Sequence, residues 1–325
     1  MRTLTIFLLF TSTSFAADDA IFEKDAKLKV LAEKGAGGEG PAWDPTLGVL
    51  MSGNDNIHRL DRDGKASVWR KDAGTNGLLF DRQGRLLACE PGSRSVARID
   101  REGKRTVLTD RFGGKKYNTP NDITIDNKDR IYFSDPRYGK RDDIEQLDDK
   151  KQSVEGVYRI DGDGKVSRII GREVERANGV LVSADDKYLF VADNNNDDVG
   201  GARKLYRFEL AADGSVDVKS QKLIHDWGKG RGPDGLKQDV EGRLYVAAGV
   251  NKPNPAEPDP KITAGIYVFD KAGKLLTILP VPTDEVTNCA FGGDDLKTLY
   301  ITAGGVLYSI RTQTAGRVIW NGDKK

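Results

Sequence analysis

Residues 157–165 read VYRIDGDGK, and closely similar stretches occur at residues 57–65 (IHRLDRDGK) and 96–104 (VARIDREGK). In each stretch apolar and polar residues alternate, which is typical of a β-strand, and a glycine follows where a tight turn would begin the next strand. Weaker copies of the strand occur at residues 205–208, 266–269 and 307–310. The chain therefore contains six copies of one strand-and-turn unit.

A second repeated pattern places a polar residue directly before an apolar strand. The residues that open its six copies are Glu39, Asn76, Asn121, Asn178, Asp234 and Asn288. Six units of about 40 to 60 residues, each with about four short strands, are typical of an all-β, six-bladed β-propeller around a central channel. A sandwich or barrel would not produce polar residues in register, and no linker indicates a second domain.

The first 16 residues differ from the rest of the chain. Arg2 is their only charged residue, residues 4–15 are mostly apolar, and Ser14 and Ala16 are small residues two positions apart. This is the pattern of a cleavable signal peptide, and about a dozen apolar residues are too few to cross a bilayer as a helix. We therefore expect a signal peptide over residues 1–16, one propeller domain over residues 17–325, and an exported protein, periplasmic or secreted.

The composition excludes several classes of protein. The chain has 51 Lys and Arg against 50 Asp and Glu, whereas a nucleic-acid-binding protein would show a clear positive excess. With only 2 Cys and 2 His, neither a disulfide framework nor a Cys/His zinc cage is expected. Cys89 and Cys289 lie in different repeats beside apolar strands, which favours two buried thiols. No nucleic-acid partner is expected, and no membrane partner after removal of the signal peptide.

The register of the second pattern predicts where its polar side chains meet. Equivalent positions of all blades face the channel, so the six opening residues would converge there. Carboxylate and amide oxygens suit a hard cation, most naturally Ca²⁺, and two ionised carboxylates held close together would repel each other without one. A single Asn-Gly or Asp-Gly pair is more often a turn, but six polar residues in register favour the channel.

The same residues carry a resemblance to a known family. EGPAW (39–43), PND (120–122), ANG (177–179), PDG (233–235) and TNCAFGG (287–293) resemble the serial motifs of the gluconolactonase/regucalcin (senescence marker protein) family. SDPRYG (134–139) and EGVYRI (155–160) resemble further segments of that family. The resemblance implies a six-bladed propeller with a divalent metal, usually calcium, in its channel, and often the hydrolysis of sugar lactones.

The resemblance also implies roles for individual residues. Glu39, Asn178 and Asp234 would be metal ligands, and Asn121 would lie beside the metal, contacting substrate or completing the ligand shell. Asp234 and Asn121 are then the candidate catalytic residues. In this hypothesis the metal polarises the lactone carbonyl, and Asp234 acts either as general base for an attacking water or as nucleophile.

The substrate is left open by two departures from the family pattern. Thr119 stands where sugar lactonases of the family often have arginine, and Pro91 stands where a similar segment often has histidine. The further candidates for substrate contact are Asn76, Thr119 and Asn288. Related propellers, diisopropyl-fluorophosphatase and paraoxonase among them, hydrolyse phosphotriesters or bulkier lactones. A phosphotriester substrate and a non-catalytic binding propeller with a structural metal are the alternatives.

A Ser-His-Asp mechanism is disfavoured by the sequence. The chain has no Gly-x-Ser-x-Gly elbow. His58 falls within a strand pattern, and His225 is better explained by packing than by catalysis, although it lies shortly before the Asp234 motif.

Overall fold

The computed structural model describes residues 21–33, 35 and 37–319. The predicted signal peptide lies outside these residues, so the signal peptide and the export of the protein stay predictions. Within the described residues every regular element is a strand. That part of the chain contains no helix long and apolar enough to cross a membrane.

Short strands follow one another along the whole of the described chain. The first is β1 (Lys29–Ala32), followed by β2 (Glu39–Asp44), β3 (Gly48–Gly53), β4 (Asn56–Leu60), β5 (Ala66–Arg70), β6 (Leu78–Phe80), β7 (Leu86–Glu90), β8 (Ser95–Ile99) and β9 (Arg105–Thr109). Next come β10 (Arg111–Phe112), β11 (Lys115–Lys116), β12 (Ile123–Ile125), β13 (Ile131–Ser134), β14 (Val157–Ile160), β15 (Val166–Ile170), β16 (Ala177–Val182), β17 (Tyr188–Asn194) and β18 (Arg203–Leu210). The last are β19 (Val216–Asp226), β20 (Pro233–Gln238), β21 (Leu244–Ala248), β22 (Gly265–Phe269), β23 (Leu275–Pro280), β24 (Val286–Gly292), β25 (Thr298–Ala303) and β26 (Val306–Arg311).

Twenty-four of these strands form six four-stranded antiparallel sheets, which confirms the predicted six-bladed propeller, and β10 and β11 pair in a separate two-stranded sheet. Five sheets follow chain order, and the sixth has the order β1-β26-β25-β24. The N-terminal strand therefore supplies the outer strand of the last blade, with Lys29 opposite Ser309. The first strands β2, β6, β12, β16, β20 and β24 contact one another in succession, and β24 contacts β2, so they enclose the channel.

The repeated turn has the same structure in different blades. Asp61 accepts hydrogen bonds from the backbone N–H groups of Asp63 and Lys65, at 3.0 and 2.8 Å. Gly64 has φ of 81°, a left-handed conformation that favours glycine. Asp100 caps its own turn in the same way, with the N–H of Lys104 at 2.7 Å. The repeated Asp and Gly thus shape the hairpin between the third and fourth strands.

The two cysteines and the two histidines have structural surroundings in the blades. Cys89 and Cys289 are buried and free, as predicted. His225 lies on the outermost strand of its blade, where its ring packs edge-on against Trp227 at 4.5 Å between ring centres. His58 lies within β4, and its Nε2 is 3.0 Å from the Gly53 carbonyl oxygen. His58 is therefore a strand histidine and His225 a packing histidine, as expected.

Glycine follows several of the polar residues because the inner strands of neighbouring blades touch there. A Cβ atom on Gly179 would lie 2.1 Å from the carbonyl oxygen of Asp234 on the next blade. A Cβ atom on Gly40 would lie equally close, 2.1 Å, to the carbonyl oxygen of Asn76. Contact between blades therefore accounts for Gly179, and at Gly40 it acts together with a left-handed backbone conformation, φ of 48°.

Replacing Gly179 with alanine is expected to destabilise the protein by about 3 kcal/mol, because the new methyl group overlaps the backbone of the next blade. The matched control is Gly162→Ala, since a Cβ atom at Gly162 has no atom within 4 Å. Urea unfolding followed by circular dichroism measures both. Equal stability of the two variants would contradict the close contact between β16 and β20.

Candidate metal centre

Three of the predicted site residues lie at the same kind of backbone irregularity. The pairing between first and second strands shifts register next to Glu39 in β2, around Asn178 in β16 and around Asp234 in β20. Such bulges re-aim side chains and are common beside functional sites. Two carboxylates, Glu39 and Asp234, and one amide, Asn178, therefore lie at equivalent bulges in three blades.

The carboxyl groups of Glu39 and Asp234 are close enough to affect each other's charge. Burial raises the pKa of Glu39 well above its usual range, and the negative charges of Asp234 and Asp122 raise it further. Burial also raises the pKa of Asp234, while the Arg231 guanidinium opposes this shift and Asp122 adds to it. Carboxylates held this close repel one another, and although Arg231 offsets part of that repulsion, a bound cation would relieve more of it.

Asn178 supplies an oxygen that has no hydrogen-bonding partner in the described chain. Its Nδ2 donates to the Tyr138 hydroxyl at 2.8 Å. Its Oδ1 is buried and accepts no hydrogen bond. An orphaned buried acceptor costs about 1–3 kcal/mol, and a cation is one partner that removes this cost. The donor set of Glu39, Asn178 and Asp234 therefore fits a hard divalent cation.

Carboxylates alone would not bind a cation here, so an amide oxygen must be one of the ligands. Among the residues that the structure describes, no group of three or more His, Cys, Asp or Glu side chains is arranged to hold a metal ion. A cation at this place would therefore be bound by two carboxylates together with amide and water oxygens. This ligand set matches the preference of calcium for oxygen donors.

Arg231 was missed by the sequence analysis and lies inside the site. Its Nη2 is 3.2 Å from Asp234 Oδ2, and its Nη1 is 3.7 Å from Glu257 Oε1 and 4.0 Å from Glu285 Oε1. The side chain is buried. Asp122 was also missed, although it directly follows Asn121; its carboxylate accepts a hydrogen bond from Val180 N–H at 3.1 Å. No spacing in the sequence pointed to Arg231.

Asn121 and Asn76 occupy equivalent positions just before strands β12 and β6. The Asn121 N–H donates to the Ser134 carbonyl at 2.9 Å, and its carbonyl accepts from Gly77 N–H at 2.7 Å. The Asn76 N–H donates to the Cys89 carbonyl at 2.9 Å. Both residues are partly accessible, so their side chains can meet a ligand. Their catalytic and substrate-binding roles stay predictions.

Asn288 and Thr119 are held by the protein itself. Asn288 is buried; its Oδ1 accepts from Cys289 N–H at 2.9 Å, and its amide group fills the space beside Gly235. Thr119 Oγ1 donates to the Pro136 carbonyl at 2.5 Å. The structure therefore gives both side chains structural partners, and their predicted contact with substrate stays a prediction.

A pocket of about 530 Å³ opens beside Glu39. Its lining residues include the polar residues Ser52, Thr75, Thr287 and Glu285. This volume and this lining suit a small polar ligand. At the other end of the channel, Arg317 bonds to the Gln238 and Val182 carbonyls, at 2.8 and 2.9 Å, so the C-terminal segment covers that opening.

Fold and site together define a six-bladed propeller with an oxygen-donor site in its channel. Residues 37–305 match the family described as the SMP-30/Gluconolactonase/LRE-like region, and the chain belongs to this family. The resemblance noted in the sequence is thereby confirmed.

Similar proteins include a gluconolactonase from Zymomonas mobilis, with 25% identity over 322 residues that cover 92% of this chain and 85% of the relative. A solved gluconolactonase from Xanthomonas campestris has 27% identity and a TM-score of 0.74, over 90% of this chain and 92% of that one. A regucalcin from Agrobacterium tumefaciens, at 18% identity and a TM-score of 0.68, covers 89% of this chain and 95% of its own and shares the fold.

Proposed function

We propose that this chain is a calcium-dependent lactonase that opens a sugar lactone or a related cyclic ester, and that it acts after export. The observation that carries the proposal is the proximity of the Glu39 and Asp234 carboxyl groups and of the Asn178 amide, which hydrogen-bonds to Asp234, with Asn178 Oδ1 buried and unpartnered. Membership of the family and the likeness to two proteins named gluconolactonase support a lactone as substrate. Export rests on the pattern of residues 1–16 alone.

Glu39, Asn178 and Asp234 would hold the cation, which when bound supplies positive charge to the oxygen of the ester carbonyl. Asp234 takes a proton from the attacking water, whose oxygen forms a bond to the carbonyl carbon. As the ring C–O bond breaks, the leaving ring oxygen takes that proton, and the product is a hydroxy acid. Asn121, which is partly accessible and adjoins Asp122, would orient substrate or water.

A panel of substrates tests the proposal. Sugar, aliphatic and aromatic lactones and one phosphotriester are assayed with the purified protein, first with added calcium, then with a chelator, then after calcium is restored. We expect lactone hydrolysis that the chelator abolishes and calcium restores. If only the phosphotriester were hydrolysed, the substrate would be a phosphotriester and not a lactone. No hydrolysis of any substrate, together with calcium binding by calorimetry, would indicate a binding propeller.

A further inference from the structure

Tyr138 connects a long surface loop to the candidate metal centre. It lies between β13 and β14, in the segment SDPRYG, to which the sequence analysis gave no role. Its hydroxyl oxygen lies 2.8 Å from Asn178 Nδ2 and 3.2 Å from the carbonyl oxygen of Asn194. One hydroxyl group thus meets both a backbone carbonyl and the amide of a candidate ligand.

Both contacts can form together only when the NH₂ end of the Asn178 amide faces Tyr138. The Tyr138 hydroxyl donates its single hydrogen to the Asn194 carbonyl and accepts a hydrogen bond from Asn178 Nδ2. The hydroxyl oxygen then has only lone pairs left for Asn178, which requires the NH₂ end of the amide. A flipped amide would place its oxygen against the hydroxyl oxygen, and Tyr138 could donate to it only by giving up the hydrogen bond to Asn194. Oδ1 is therefore directed away from Tyr138, where it is buried without a partner.

We propose that Tyr138 is a positioning residue for the metal centre: its hydroxyl holds the Asn178 amide so that Oδ1 is available to the cation. The inference rests on the proposed function, because it concerns the same cation. It assigns Tyr138 no contact with substrate. Partners that orient a ligand in this way change metal affinity by about 10- to 100-fold when they are removed.

Charged groups outside the centre hold the Tyr138 ring in place. The Arg176 guanidinium lies 5.0 Å from the centre of the ring. Arg176 is itself fixed by Glu155 at 2.9 Å and by Asp197 at 2.5 Å. Arg141, from the loop that carries Tyr138, also pairs with Glu155. The ring is thus clamped between its own loop and the fourth blade, so its hydroxyl has a defined place relative to Asn178.

Tyr138→Phe tests the proposal, because it removes the hydroxyl and keeps the ring beneath Arg176. We expect the melting temperature to change little, and calcium affinity measured by calorimetry to fall about 10- to 100-fold. At saturating calcium, kcat should return close to the wild-type value. The matched control is Tyr188→Phe, at the start of β17, whose ring lies 4.1 Å from the Arg207 guanidinium. This control should bind calcium like wild type.

Testing Tyr138→Phe in a second variant shows whether Tyr138 orients the amide or only supports the surrounding structure. In Asn178→Asp both side-chain oxygens are equivalent, so no amide remains to be oriented. Adding Tyr138→Phe to this variant should lower calcium affinity less than threefold. Wild-type affinity in Tyr138→Phe, or an equal loss in both backgrounds, would overturn the inference while leaving the proposed function standing. A wild-type protein that binds no calcium would overturn both.

Discussion

Replacing Asp234 with asparagine is expected to lower kcat/KM for lactone hydrolysis by about a thousandfold or more. The substitution keeps the size of the side chain but removes the group that accepts the proton of water, an effect typically of 10²–10⁴. It also removes one of the two carboxylates proposed to bind the cation. Assays at calcium concentrations that saturate the variant separate the loss of chemistry from the loss of affinity.

The matched control is Asp239→Asn, which removes another buried carboxylate just beyond the other end of β20. Asp239 accepts hydrogen bonds from the N–H groups of Glu241 and Arg243, at 3.0 and 2.9 Å, and from the Tyr245 hydroxyl at 3.2 Å. Its loss should lower the melting temperature and leave kcat nearly unchanged. If Asp234→Asn retained calcium-dependent hydrolysis near the wild-type rate, the assigned role of Asp234 would be wrong.

The fold was predictable because most blades repeat the same local chemistry. The alternation of apolar residues and the Asp-x-x-Gly turn recur at fixed places, and both are short-range signals. The register of the polar residues also predicted that Glu39, Asn178 and Asp234 share one structural position. Closure of the ring by β1 was not predicted, because that strand pairs with β26 at the far end of the chain and carries no repeated motif.

The parts of the site that were missed come from loops and from contacts between blades. Arg231 and Tyr138 belong to no repeated pattern, and their partners Glu257 and Asn194 lie far from them in the sequence. Asp122 stands at the position that glycine occupies in the Asn178 and Asp234 motifs. Its carboxylate reaches the next blade, where it accepts from Val180 N–H. Only the packing of neighbouring blades reveals these roles.

Removing the charge of Arg231 is expected to strengthen calcium binding, whereas removing that of Asp234 should weaken it. The reason is that the Arg231 guanidinium and a cation compete for the Asp234 carboxylate. At an effective dielectric constant near 20, two unit charges about 5 Å apart interact by about 3 kcal/mol. Repulsion from Arg231 therefore opposes cation binding, and Glu257 and Glu285, at 3.7 and 4.0 Å, offset part of it. We expect Arg231→Gln to bind calcium about 10- to 100-fold more tightly than wild type.

Calorimetric titration with calcium at low salt measures this effect. Glu39→Gln provides the contrasting variant: it removes a carboxylate ligand and should weaken binding about 100-fold or more. Arg62→Gln provides the control, because Arg62 pairs with Asp294 in an exposed ion pair and its loss should not change affinity. Weaker binding in Arg231→Gln would mean that Arg231 holds Asp234 in place for the cation. Tighter binding would mean that Arg231 neutralises Asp234 until the cation displaces it.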